Sequence, residues 1–319
     1  RKKALIIYLK QPFLFDNKVV MHCNVYESLI IKDELLNLDY AVDAIDYRYK
    51  YEIDYSKYDL IFGFGDLFSK SFTSKNIKNN LKRICYSTGT YIDTWNNAEV
   101  TRLQYFNNRF NSKLTPQRPW GWDISTFSFL NADGVIQTGN QWTESTFDHL
   151  SIKNFFVVPV PTITQENKSI PLEKMTGKDF IFFSGAGAVF KGLDLVIEAF
   201  NSINSNSNSN LYIYGPFDEE ENFMSIFRPI IDKNPNIFFK GVIDPISDEF
   251  DQVVSSCAFT ILPSCGESGA SSVITTMHKG LIPIVTEGTS VDLFNFGISI
   301  ESLTIDSVKE SIEKALLLS

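Results

Sequence analysis

From its first residues the chain repeats one pattern, a short apolar run followed by a segment with helical spacing, and few folds accept that order. Apolar runs at Ala4–Tyr8, Ala41–Ile45, Leu60–Phe64, Arg83–Tyr86, Gly134–Gln137 and Phe155–Val158 read as strands. Between them Asn24–Asn37, Ser74–Asn80, Asp93–Asn111, Ile124–Leu130 and Trp142–Leu150 read as helices. Such alternation signals βα units and mainly parallel sheet. Pro159 to Lys178 then brings three prolines among polar residues, the composition of an interdomain linker.

The alternation restarts beyond it. Strands are expected at Asp179–Ser184, Asn210–Tyr214, Asn236–Lys240, Ala258–Leu262 and Leu281–Val285. Helices are expected at Leu193–Asn204, Glu219–Asp232, Ser247–Ser255, Ser271–Lys279 and Ile305–Leu318. The expected fold class is α/β, with two Rossmann-like domains, residues 1–160 and 161–319, facing across a cleft. Ligands of such sheets sit at the carboxyl ends of the strands. The tract Ser202–Asn210 reads as a surface turn between a helix and a strand.

Charge separates the same two parts. Residues 1–165 hold 19 Lys/Arg against 17 Asp/Glu, whereas residues 166–319 hold 10 against 21. That balance argues against a nucleic-acid partner, which needs a basic footprint. The slightly positive first half suits weak peripheral association with an anionic membrane surface. No apolar run reaches the roughly 18 residues of a membrane-spanning helix. Cys23, Cys85, Cys257 and Cys265 show no CxxC spacing, so they read as reduced thiols of a cytoplasmic protein without a metal.

Two loops carry the candidate chemistry. Ser184–Gly192, SGAGAVFKG, follows a strand and opens a helix. Gly185 and Gly187 let backbone approach a ligand closely, the helix end offers N–H groups and a positive dipole, and Lys191 can neutralise a diphosphate. The plain alternative is a tight βα turn with a solvated lysine. The loop matches neither GxxxxGK[ST] nor GxGxxG. Pro263–Ser272, PSCGESGASS, also joins a strand to a helix, and its small residues could present successive amides to an anion. Glu267 suits sugar hydroxyls better than phosphate, unless it merely caps the helix.

A third cluster follows the strand at Arg83–Tyr86. Trp95, Glu99 and Arg102 share a helical face and either line the cleft or form one surface salt bridge. Arg118 reads as an acceptor-side cation or a plain loop arginine. Of the three histidines, His22 lies at the end of the first βα loop and is a candidate catalytic residue, whereas His149 and His278 read as structural or solvated.

Four segments in the second half occur in the order and spacing of a known family: Phe183–Phe200, Leu211–Pro216, Ile237–Ile243 and Leu262–Gly288. On them the chain resembles the group 1, family 4-type retaining glycosyltransferases with the GT-B fold. The resemblance implies a nucleotide-diphosphate sugar as donor substrate, no separate cofactor, and a glycan or lipid-linked acceptor, with configuration retained. The donor would lie on the second domain and the acceptor on the first. Lys191 would hold the diphosphate and Glu267 the donor sugar. Amides of Ser268, Gly269, Ala270 and Ser271 would contact phosphate or sugar, and Gly241 and Val242 would lie near the base.

Three positions depart from the family pattern. Ala186 stands where an arginine usually follows the first glycine, Thr275 where a second glutamate binds the ribose, and Tyr91 at the place of a histidine. Tyr91 and Thr275 are carried as the corresponding site residues. The departures leave a second reading, a non-catalytic GT-B chain that binds glycan or stabilises a partner, and a lesser third, a nucleotide-sugar epimerase. The chain is short for the family and is expected to be one module of a longer polypeptide or a trimmed form.

Overall fold

The computed structural model describes residues 1–14, 23–119, 126–162, 178–203 and 209–318. The chain divides into two compact units, Arg1–Ile92 with Trp120–Pro161, and Asp93–Pro119 with Thr162–Ser319.

The first unit is built on β1 (Lys2–Tyr8), β2 (Tyr40–Asp46), β3 (Leu60–Gly63), β4 (Lys82–Ser87), β5 (Gly134–Thr138) and β6 (Phe155–Val158). They form one parallel sheet in the order β2-β1-β3-β4-β5-β6. Its helices are α1 (Asn24–Asn37), α2 (Gly65–Thr73), α4 (Thr126–Asn131) and α5 (Gln141–Ser145), while α3 (Ile92–Phe110) leaves the unit at its first residue. Ala4–Tyr8 are all buried, as a strand covered on both faces requires.

Two helices differ from expectation. The helix expected at Ser74–Asn80 lies earlier, at Gly65–Thr73. Leu67, Phe68 and Ser71 put a buried face on that segment, and Phe72 adds to it, whereas residues 74–80 offer only Ile77 among polar residues and form bends and turns. The helix expected at Trp142–Leu150 stops at Ser145. Asn140 caps its start by accepting from the amides of Trp142 and Thr143 at 3.1 and 3.3 Å, and the residues after it form turns.

The second unit holds β7 (Asp179–Phe183), β8 (Leu211–Tyr214), β9 (Ile237–Gly241), β10 (Cys257–Leu262), β11 (Ile282–Val285) and β12 (Ile298–Ser299). These also form a parallel sheet, ordered β12-β11-β10-β7-β8-β9. Around it lie α6 (Leu193–Ser202), α7 (Glu221–Lys233), α8 (Asp248–Ser256), α9 (Ser271–His278) and α10 (Ile305–Leu318).

A cut at residue 160 assigns α3 to the first half, but Asp93–Pro119 belongs to the second unit. Leu103 and Phe106 of α3 are buried in the second unit's core, where Phe106 stacks on Phe223 of α7 with ring centroids 5.9 Å apart. Arg102 reaches both carboxylate oxygens of Asp194 on α6, at 2.7 and 2.9 Å. Arg109 adds a bond to Asp194 at 3.1 Å and pairs with Glu198. Arg102 is 2% exposed and Asp194 0%, so this is a buried ion pair rather than the surface bridge that Glu99 and Arg102 alone suggest. Among the described residues no helix is long and apolar enough to cross a membrane.

Candidate functional site

The site forms because β7 and β10 are parallel neighbours, so the loops leaving their carboxyl ends run side by side. The Cys265 amide donates to the Phe190 carbonyl at 3.1 Å and ties one loop to the other. Gly192, at φ 75°, makes the close approach: a Cβ there would lie 2.4 Å from the Pro263 carbonyl oxygen. Only glycine fits both the backbone angle and the space.

This arrangement joins residues 76 positions apart. Lys191 Nζ donates to Glu267 Oε1, and Ser264 Oγ donates to the same oxygen at 2.8 Å. Lys191 is 7% and Glu267 8% exposed, so Lys191 is not a solvated loop lysine. Nor does Glu267 act as a helix cap, since its side chain turns to Lys191 and Ser264. Burial alone would raise the Glu267 carboxyl. The Lys191 and Arg118 charges, with hydrogen bonds from Lys191 and Ser264, outweigh it and hold the group below the usual carboxylate range.

Around this pair the other expected residues fall into place unevenly. Gly185 is exposed, and apart from its chain neighbours no atom lies within 4 Å of where a Cβ would stand; the same holds separately at Gly241. Val242, just after β9, is exposed. Ser268 and Ala270 are buried, Gly269 and Ser271 half-buried. The Ala270 amide is already committed to the Thr289 carbonyl at 3.0 Å, and the Glu267 amide to Gly288 at 2.6 Å. Thr275 is buried and its hydroxyl is in use, donating to the Ser271 carbonyl at 2.7 Å and sharing a 2.6 Å bond with Thr162.

Tyr91 lies in the first unit. Its ring is buried against Phe147 and His149, its hydroxyl bonds Thr126 at 3.1 Å, and its amide donates to Thr146 Oγ1 at 3.0 Å. His22 lies outside the described residues.

Sequence reasoning missed one contributor and misplaced another. Glu220 accepts from the Gly187 amide at 2.6 Å and from the Ala188 amide at 3.0 and 3.1 Å, so a carboxylate of the protein occupies these loop donors. Glu220 stands in the run Asp218–Glu221, and nothing in that run marks it from its neighbours. Glu99 does not pair with Arg102. Its Oε1 accepts from the amides of Gln117 and Arg118 at 2.7 and 2.8 Å, which sets Arg118 against the glycine loop.

Two parallel six-stranded sheets with helices around them match the GT-B fold of α/β proteins. Residues 164–317 match the family model described as glycosyl transferases group 1. No curated protein sequence matches the chain. Similar solved structures include sucrose-phosphate synthase from Thermosynechococcus elongatus, 14% identical over 99% of this chain and 90% of that one, with a TM-score of 0.65. HepE of Anabaena, solved with UDP and glucose, is 11% identical over 99% and 90%, with a TM-score of 0.62. A TarM variant of S. aureus, solved with Fondaparinux, alpha-GlcNAc-glycerol and UDP, is 13% identical over 83% of this chain with a TM-score of 0.56. The chain spans about half the length of TarM, 49%.

Proposed function

We propose that the chain is a glycosyltransferase that moves a sugar from a nucleotide-diphosphate donor to a glycan or lipid-linked acceptor with retention of configuration. The observation that carries it is the meeting of Lys191 and Glu267 on adjacent strand ends of a group 1 domain. A buried ammonium suits the diphosphate that departs, and a buried carboxylate suits the hydroxyls of the sugar. Gly185 leaves room for the donor at the loop, whereas the Arg118 side chain already covers Gly187; Ser268, Gly269 and Ser271 flank the donor, and the open space at Gly241 and Val242 takes the base. Donor binding opens the Lys191–Glu267 pair, so each charge exchanges one partner for another.

Catalysis in this scheme is chiefly positioning and stabilisation of charge developing on the leaving diphosphate. No cofactor besides the donor is invoked. Retention and the acceptor class rest on the family resemblance. A cytoplasmic site of action, with weak association of the slightly basic first half with an anionic membrane, is part of the same proposal and rests on the charge asymmetry.

The experiment is binding of uridine, guanosine, adenosine and cytidine diphosphates and their sugars, compared between the native chain and Lys191→Ala. Uridine diphosphate comes first because two of the structural neighbours hold it. The expected result is one clear binder that Lys191→Ala weakens. No binder at millimolar concentration would overturn the reading in favour of a non-catalytic chain that keeps the fold.

A further inference from the structure

A diphosphate brings at least two negative charges, and Lys191 is already shared with Glu267. The amides of Gly187 and Ala188 add little, because Glu220 holds them. A tight diphosphate site at this loop therefore needs another cation that no carboxylate has claimed. Arg102 and Arg109 do not qualify, being paired with Asp194 and Glu198.

Arg118 does qualify. Its backbone is fixed on both sides: the Arg118 amide donates to Glu99, and its carbonyl accepts from Trp95 Nε1 at 2.5 Å. Its side chain crosses directly over Gly187, where a Cβ would stand 2.5 Å from Arg118 Cδ. Nη1 then donates to the Ala186 carbonyl at 3.1 Å, and the guanidinium lies 5.5 Å from the Trp95 ring centre and 5.6 Å from that of Phe190. Among the described residues no carboxylate forms an ion pair with it, and its buried Nε has no hydrogen-bond partner. Its charge nevertheless acts on Lys191, Glu267 and Glu220 alike. A planar donor fork held by backbone and aromatic faces, with its charge unmatched, is arranged for a phosphate.

We propose that Arg118, carried in from the segment after α3, is the second diphosphate-binding cation of this site and acts together with Lys191. The assignment rests on the donor-site reading above, and Ala186 leaves its place because that residue offers the loop only a carbonyl.

The test is calorimetry on the full chain with three probes, inorganic pyrophosphate, uridine diphosphate and uridine. The variants are Arg118→Ala, Arg118→Lys and Lys191→Ala. Losing one charge-assisted contact should weaken uridine diphosphate and pyrophosphate by about 10- to 100-fold in Arg118→Ala. Uridine binding should not change, and Arg118→Lys should recover part of the loss because it keeps the charge without the fork. Pyrophosphate and uridine diphosphate binding within about twofold of native would overturn the assignment. So would a loss in Arg118→Ala that extends equally to uridine with a lowered melting temperature, which marks a structural residue. Arg118-dependent pyrophosphate binding without any nucleoside diphosphate binding would keep the cation site and remove the donor reading. Binding of neither by the native chain would remove both.

Discussion

Lys191 and Glu267 face each other as a buried ion pair although they arrive on loops from two different strands, and Ser264 shares the bonded carboxylate oxygen. The pair is therefore part of the packing of the second unit as well as its candidate chemistry. Removing one partner leaves a buried charge without compensation. Lys191→Ala should cost about 3–5 kcal/mol, whereas the paired change Lys191→Met with Glu267→Leu should cost much less. Urea unfolding of the three proteins checks this, and equal losses in both variants would show that the cost lies in packing.

Acid should act on the same pair. The folded state holds the Glu267 carboxyl below its usual range, so its contribution is present above the unfolded pKa and is lost as pH falls through the lowered folded value. Stability measured from pH 6 down to about pH 2 should fall less steeply in Glu267→Gln than in the native chain.

Glu27 has the opposite sign. It is buried in the first unit, accepts from the Tyr8 hydroxyl at 2.5 Å, and burial raises its carboxyl in spite of that bond. A raised folded pKa gives stability that is complete below the unfolded value and disappears as pH rises through the folded one. Glu27→Gln should accordingly raise the melting temperature at pH 8 more than at pH 4. A change equal at both pH values would show that Glu27 carries the same charge folded and unfolded.

Glu220→Ala should destabilise the glycine loop. The Gly187 and Ala188 amides lose their acceptor inside the protein, at a cost of about 1–3 kcal/mol. Denaturant titration measures the cost, and hydrogen exchange at these two amides should accelerate with it.

Gly192→Ala should also destabilise. The left-handed backbone angle and the collision with the Pro263 carbonyl act together, for a loss of about 1–3 kcal/mol or more. A melting temperature unchanged from native would mean that the two loops are free to separate.

Much of this fold is legible in the sequence because parallel strands buried on both faces leave continuous apolar runs, as at Ala4–Tyr8 and Cys257–Leu262. The pairing of Lys191 with Glu267 is legible in part, since each follows a strand and ligands gather at strand ends. Helix α2 leaves a weaker signal. Ser71 is buried in the face of Leu67 and Phe68, where an apolar residue would signal the helix. Glu99 and Arg102 sit three apart on one helix and still choose partners elsewhere, because tertiary neighbours offer each a better bond than the other does. Arg118 carries no local signal at all. Its position depends on Glu99, Trp95 and Gly187, and only the folded chain brings these three together.

The crossing of α3 into the second unit also bears on how the chain can fold and be dissected. Asp194 finds its counter-charges 92 and 85 residues earlier, at Arg102 and Arg109. A fragment starting at residue 162 would keep the whole second sheet, yet leave Asp194 without its arginine partners and the core without Leu103 and Phe106. During synthesis, the segment that completes the second unit leaves the ribosome long before the sheet it serves. It must wait, partly exposed, while the rest of the first unit and then the second are made. Closing so long a loop adds little to the equilibrium cost, which grows only as the logarithm of its length, but it places the slow step of folding late.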